Sequence, residues 1–326
     1  MTPVQITRFM HSRWVLFIMA AALVMVAALS FGHVAPAAGT VDRGIAFPSA
    51  NLWIENARAS MWVNTLLTLA VATLMVALNR TYNLLRTSTL LDASLFLLMS
   101  LATPMLAEGL NTGTMLALVL LACLFLLYST YQSGYCRERI FLIFFMLSLA
   151  TMTQYCYVVY IPVFIVGTAQ MRIFNLKTLL ATVMGLITPW FVLLGCGIVG
   201  FSELRFPDIA GAVASFSLAA NFPLIVAVVV SAAMLVVGWC LNFPRMIAYN
   251  AHMRAYNGTL SVLSLVTLLA LCFDFTNMAA YAPVAYMCAG FYIGRFFAAT
   301  PSQRSYIPII TIFSLYTALL IWTLMH

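Results

Sequence analysis

The sequence predicts an all-α protein, a polytopic transmembrane helical bundle of about eleven spans with its N-terminus in the cytoplasm. Three observations carry this expectation. Of the 326 residues 64% are hydrophobic and 7% are charged, with a mean hydropathy of +1.04, whereas a soluble domain is about 25% charged. The apolar residues gather into windows near 14–31, 61–78, 91–107, 114–131, 140–153, 157–171, 177–200, 222–242, 259–273, 277–295 and 306–325. Most of these approach the ~20 residues that one helical crossing needs. The cations stand at the ends of the windows, where Lys and Arg retain cytoplasmic loops.

The first window, Trp14 to Phe31, follows Arg8 and Arg13 and precedes the small-residue stretch Ala35-Pro-Ala-Ala38. It imitates a signal peptide, yet it exceeds the roughly 7–15 apolar residues of a cleaved one, so a retained first span is expected. The segment 32–60 then forms a long extracytoplasmic loop containing Asp42, Arg43, Pro48, Trp53, Glu55 and Arg58. It reads as an irregular piece followed by a short interfacial helix, with Trp53 and Trp62 as anchors. Pro104 closes the third window, and the short turn after it holds Glu108 close to the membrane plane, where an ionisable group is often functional.

The run Ile140 to Met171 decides the topology, because 32 residues lie between Arg139 and Arg172, too many for one crossing of ~20 residues and few for two. Its most polar part is Thr151-Met-Thr-Gln-Tyr-Cys-Tyr157, and Pro162 follows where it interrupts a continuous helix. Two short helices folded into a hairpin, with the tip near Gln154, are therefore expected. Counted as two crossings, the pair leaves twelve cations inside: Arg8, Arg13, Arg80, Arg86, Arg137, Arg139, Arg172, Lys177, Arg245, Arg254, Arg295 and Arg304. Only Arg43, Arg58 and Arg205 fall outside, a strong positive-inside pattern. Beyond the hairpin a second extracytoplasmic loop, 201–221, begins with the polar turn Ser202-Glu-Leu-Arg-Phe-Pro-Asp208. The repeated tripeptides Asn221-Phe-Pro223 and Asn242-Phe-Pro244 read as boundaries of the span between them. The whole chain, 1–326, forms a single membrane domain.

The chemistry-bearing residues are few. No phosphate-binding loop, zinc-protease motif, nucleophile elbow or dinucleotide fingerprint occurs. The seven cysteines lack metal or disulfide spacing, the four histidines form no cluster, and neither a metal nor a cofactor is indicated. The net charge of +7 does not point to nucleic acid, because no basic stripe interleaved with aromatics appears. The acids divide against the cations. Asp42, Glu55, Glu108, Glu203, Asp208 and Asp274 fall outside, and only Asp92 and Glu138 inside. Acids have little influence on insertion, so this outer cluster calls for a second reason. At the hairpin tip, Gln154, Tyr155 and Tyr157 stand where a broken helix exposes backbone groups that need partners, and such breaks are common at substrate sites. Thr151 and Thr153 hydroxyls offer a purely structural alternative.

The order Asn79-Arg80, Pro104, Tyr160-Ile-Pro162, Arg172-Ile-Phe174, Gly185 and Thr188-Pro189-Trp190 resembles a family of uncharacterised multi-pass inner-membrane proteins of Bacteroidota, over roughly residues 79–200. That resemblance implies the bacterial inner membrane and carries over no catalytic residue. Many spans with a long acidic first outer loop also resemble the polytopic glycosyltransferases and glycan polymerases that use polyprenyl-phosphate sugars. This likeness implies a polyprenyl-linked glycan as partner, with membrane lipid around it. In that reading Asp42 or Glu55 is the general base and Arg43, Arg58 or Arg205 binds pyrophosphate. In a transporter or flippase reading the hairpin is the substrate site, with Gln154 and Tyr157 as ligands and Glu108 or Asp274 as coupling acid. A third reading is a non-catalytic subunit packed against a membrane-protein partner.

Overall fold

The computed structural model describes residues 12–33, 44–84, 90–133, 136–206, 209–214, 216–246, 249–299 and 306–325. Among these residues all regular structure is helical: α1 (Arg13–Ser30), α2 (Ala57–Tyr82), α3 (Leu91–Leu101), α4 (Thr112–Tyr128), α5 (Arg137–Thr151), α6 (Ile161–Gln170), α7 (Leu176–Gly195), α8 (Ile209–Ala214), α9 (Leu218–Met246), α10 (Ala251–Phe273), α11 (Met278–Ala299) and α12 (Tyr306–Met325). Each apolar window of the sequence is helical, but they differ in kind. Six helices, α1, α2, α7, α9, α10 and α12, are long and apolar enough to cross a membrane by length and composition, fewer than the eleven spans expected. The chain is a membrane-embedded, multi-pass helical protein on that evidence.

The shortfall has physical causes. α3 stops at Leu101 because Pro104 opens a 3₁₀ turn, Pro104–Leu106, and α5 and α6 are the two arms of the broken run. α11 fails on composition because it meets little lipid. Ala282, Val284, Ala285, Met287, Cys288, Ala289, Phe291 and Tyr292 along it are wholly buried, as expected of a helix wrapped on all sides. It is the axis of the bundle, packed by α3, α4, α9 and α10. Small residues let these backbones approach. A Cβ at Gly113 on α4 would stand 2.6 Å from the Ala279 carbonyl oxygen, and one at Gly290 would stand 2.7 Å from that of Asp92.

The hairpin is present. α5 runs against α4 and α7, the chain breaks over 152–160, and α6 returns between α4 and α10. Both open ends meet the C-terminal end of α4. Arg139 donates from Nη1 to the Ser129 carbonyl at 2.6 Å, and the Gln132 amide donates to the Met171 carbonyl at 3.3 Å. α7 then packs on α5, where a Cβ at Gly185 would lie 2.7 Å from the Phe141 carbonyl oxygen.

Two expectations are corrected. In the described part of the first loop there is a 3₁₀ turn, Ala50–Leu52, and then the start of α2, whose first turn is capped by the Asn56 side chain. Arg58 and Trp62 thus belong to the long helix itself, not to a separate interfacial helix. Both Asn-Phe-Pro tripeptides lie inside α9 rather than bounding it. Asn221 and Asn242 each donate from Nδ2 to the carbonyl four residues earlier, and Asn242 also reaches the Tyr292 carbonyl at 2.9 Å. Asn242 thus serves as a contact between α9 and α11 instead of as punctuation.

Candidate functional site

The end of the bundle where the hairpin turns gathers most of the residues singled out from the sequence. At the break, the Thr151 hydroxyl donates to the Ser148 carbonyl at 2.6 Å and the Thr153 hydroxyl to Ala150 at 2.8 Å. The amides of Ile45, Ala46 and Phe47 converge on the Met152 carbonyl at 3.2, 2.9 and 3.0 Å. The Arg205 amide in turn donates to the Ile45 carbonyl at 2.9 Å. The two long loops are thereby tied over the hairpin tip through backbone, and the Met152 carbonyl at the break is met within the protein, as a membrane requires.

The side chains of the tip face the turn between α10 and α11. That turn is a single 3₁₀ turn, Phe275–Asn277, entered through Asp274. The Tyr155 hydroxyl donates to Asp274 Oδ2 at 2.5 Å and the Tyr281 hydroxyl donates to the same oxygen at 3.1 Å. The Thr276 hydroxyl donates to Asp274 Oδ1 at 3.2 Å. One carboxylate thus accepts from three hydroxyls on three elements, the hairpin tip, the turn itself and α11, a set that orients it firmly.

Beside it, Gln154 Nε2 donates to Asn277 Oδ1 at 3.2 Å. Both residues are buried, 4% and 5% exposed, and Gln154 Oε1 and Asn277 Nδ2 have no hydrogen-bond partner. Exchanging the oxygen and nitrogen of both amides would reverse the bond and still leave one donor and one acceptor over. Such a pair of unmet groups in a buried place is costly unless something satisfies it. A single hydroxyl group can do so, since it both donates and accepts.

No family model, curated protein or solved structure matches this chain. The site is therefore read from its own geometry.

A second group surrounds Glu108. Its Oε2 accepts from the Gly32 amide at 3.2 Å, which a glycine with φ 77° presents in a conformation that disfavours other residues. Burial raises the Glu108 carboxyl above the usual glutamate value, opposed by the Gly32 amide, the Ser30 hydroxyl and His33. The turn that carries it is pinned to α2, because the Leu110 amide donates to Ser60 Oγ at 2.7 Å and the Asn111 amide to Asn64 Oδ1 at 3.2 Å. Arg58, one half-turn before Ser60, lies 5.8 Å over the Phe31 ring, next in the chain to Gly32.

The sequence-predicted residues thus separate. Gln154 joins the Asp274 group, and Glu108 and Arg58 share the second group. Tyr157 is 2% exposed and packs in the apolar core. Glu55 is exposed, and Arg205 is tied in by its backbone amide. Asp42 and Arg43 lie outside the described residues. Sequence reasoning set Asp274 apart as a coupling acid and missed Thr276, Asn277 and Tyr281. The usable signal was local: Asp274-Phe-Thr-Asn277 is a polar patch between two apolar windows.

Proposed function

We propose that this chain is a membrane transporter or flippase that binds a hydroxyl-rich polar group at the tip of the α5–α6 hairpin. The observation that carries the proposal is the buried Gln154–Asn277 pair with one donor and one acceptor left over, beside a carboxylate fixed by Tyr155 and Tyr281. A sugar hydroxyl matches all three groups, because it accepts from the amide nitrogen and donates to an amide or carboxylate oxygen. Broken helices are the elements from which transporters build their substrate sites. The sugar of a polyprenyl-linked glycan in a bacterial inner membrane fits this chemistry as well as a free saccharide. Glycan transfer at the outer face is a second reading, favoured by the proximity of Glu108, Gly32 and the Phe31–Arg58 contact.

The test is reconstitution in proteoliposomes, offering in parallel radiolabelled monosaccharides and a fluorescent polyprenyl-phosphate sugar. Translocation of either, lost in Asp274→Asn and in Gln154→Leu, supports the proposal. Wild-type levels in both variants, or no movement of any saccharide probe, would sink it. Transfer of sugar between acceptors without translocation would shift the function to the second reading.

A further inference from the structure

A second site lies at the opposite end of the bundle, away from the hairpin tip. α12 is held to the rest of the molecule mainly through its later turns. Tyr316 and Ser231 share a hydrogen bond of 2.8 Å, and Trp322 packs edge-on against Phe222 at 5.8 Å. The Thr323 hydroxyl lies 3.5 Å from the Ala102 carbonyl. Its first turns reach the core through Ile309, which is wholly buried, and beside that contact they leave a gap towards α9 and α11. A cavity of about 420 Å³ opens between the three helices, within the ~300–1,000 Å³ range of ligand sites. Its walls are apolar, from Val237 and Leu241 on α9, Phe296 and Phe297 on α11, and Ile307 and Ile312 on α12. Gly238 lets α9 approach α11 beside the cavity, where a Cβ would stand 3.0 Å from the Tyr292 Cβ.

A cation stands one turn beyond the wall. Arg245 follows Leu241 by one turn of α9, and its guanidinium lies 5.2 Å over the ring of Phe296, a wall residue. Its Nη1 is shielded from solvent and has no hydrogen-bond partner. An apolar slot ending in an under-satisfied guanidinium has the chemistry of an acyl chain followed by an anionic headgroup, because Arg binds phosphate and its stem covers apolar surface. Among the described residues that line the cavity none is charged, so a free anion finds nothing to hold within its walls. Juxtamembrane arginines attract anionic lipid generally, but the enclosed cavity adds a place for the chain.

We propose that this cavity binds one anionic phospholipid, with an acyl chain between α9, α11 and α12 and its phosphate at Arg245. Native mass spectrometry of the delipidated full chain, titrated with phosphatidylglycerol or phosphatidylcholine of the same acyl composition, tests it. The expected result is one retained phosphatidylglycerol, favoured at least tenfold over phosphatidylcholine. Arg245→Gln reduces that preference to about twofold or less. Thr311→Trp, which fills the cavity from α12, removes the retained lipid of either kind while leaving the helical circular dichroism intact. Equal retention of the two lipids by the wild type, or an adduct that survives Thr311→Trp, overturns the proposal. So does displacement of the lipid by inorganic phosphate alone, which would show that the cation acts without the cavity.

Discussion

At the scale of single residues, the Gln154–Asn277 pair and Glu108 make opposite demands on the fold. Removing one amide of the pair leaves the other more fully orphaned, whereas replacing both with apolar groups removes the unmet atoms together. Gln154→Leu and Asn277→Leu are each expected to lower stability by about 1 kcal/mol, with the double variant recovering part of the loss, as buried hydrogen bonds in membrane proteins couple by ~0.6 kcal/mol on average. Unfolding of the four proteins in detergent measures the cycle, and strictly additive losses would show that the two amides do not act as a pair. Glu108 is a matter of charge. Its carboxyl is raised by burial, so the folded chain holds that proton to higher pH than the unfolded chain does. Between the ordinary glutamate value, ~4.3, and the raised one the folded state binds more protons, and stability therefore falls as pH rises. Thermal unfolding from about pH 4 to about pH 8 should show this decline in the wild type and a flatter profile in Glu108→Gln, because the glutamine has no proton to lose. Neither pairing was fully legible in the sequence. Asp274 and Tyr155 are 119 positions apart, and no local period or motif couples residues at such a distance.

At the scale of elements, legibility depends on what each helix faces. α1, α2, α7, α9, α10 and α12 present apolar side chains to lipid, and a hydropathy window finds them. α11 was found as a window but not as the axis, because its tyrosines, glycines and Arg295 record protein neighbours instead of lipid. The glycine contacts were equally hidden, since a glycine on an apolar window looks the same whether or not a backbone lies against it. They yield a sharp contrast. A Cβ at Gly185 meets the Phe141 carbonyl at 2.7 Å, whereas one at Gly195 on the same helix meets nothing within 4 Å. Gly185→Ala should therefore push α7 from α5 and cost about 1–3 kcal/mol, the usual price of overpacking. Gly195→Ala, at the end of α7, should change stability by well under 1 kcal/mol. Equal effects in the two variants would mean that α5 and α7 do not meet through Gly185. The hairpin belongs at this scale too: its tip was placed near Gln154 from polarity and Pro162 alone. The bonding of Met152 to Ile45, Ala46 and Phe47 was out of reach, because it is made by backbone groups that any residue carries.

At the scale of the whole molecule the question is which ends of the helices share a side. The charge count favours two crossings for the run 140–171, because a single crossing would send most of the later arginines outward. The structure adds a geometric reason. Arg139 bonds to Ser129, and Met171, the neighbour of Arg172, bonds to Gln132, so both feet of the hairpin stand on the same end of α4. A chain that leaves and returns to one end of one helix has made an even number of passages. Ser133→Cys and Asn175→Cys should accordingly label with a membrane-impermeant maleimide from one face of sealed vesicles, and Ser202→Cys from the other. The exposed native thiols Cys196, Cys240 and Cys272 must first be replaced by serine or alanine so that they do not report. Labelling of positions 133 and 175 from opposite faces would refute the hairpin as a double passage. It would move α7 and everything after it to the other orientation, and with it the sidedness of Arg245 and of the lipid site at the foot of α12. Labelling of positions 133 and 175 from one face, with 202 labelled from the other, puts the second long loop and the hairpin tip tied to it through Ile45 on the face opposite to Arg139 and Arg172, with Arg245 returned to their side by α9. A substrate arriving at Gln154 and a lipid phosphate at Arg245 would then approach from opposite sides of the same bilayer.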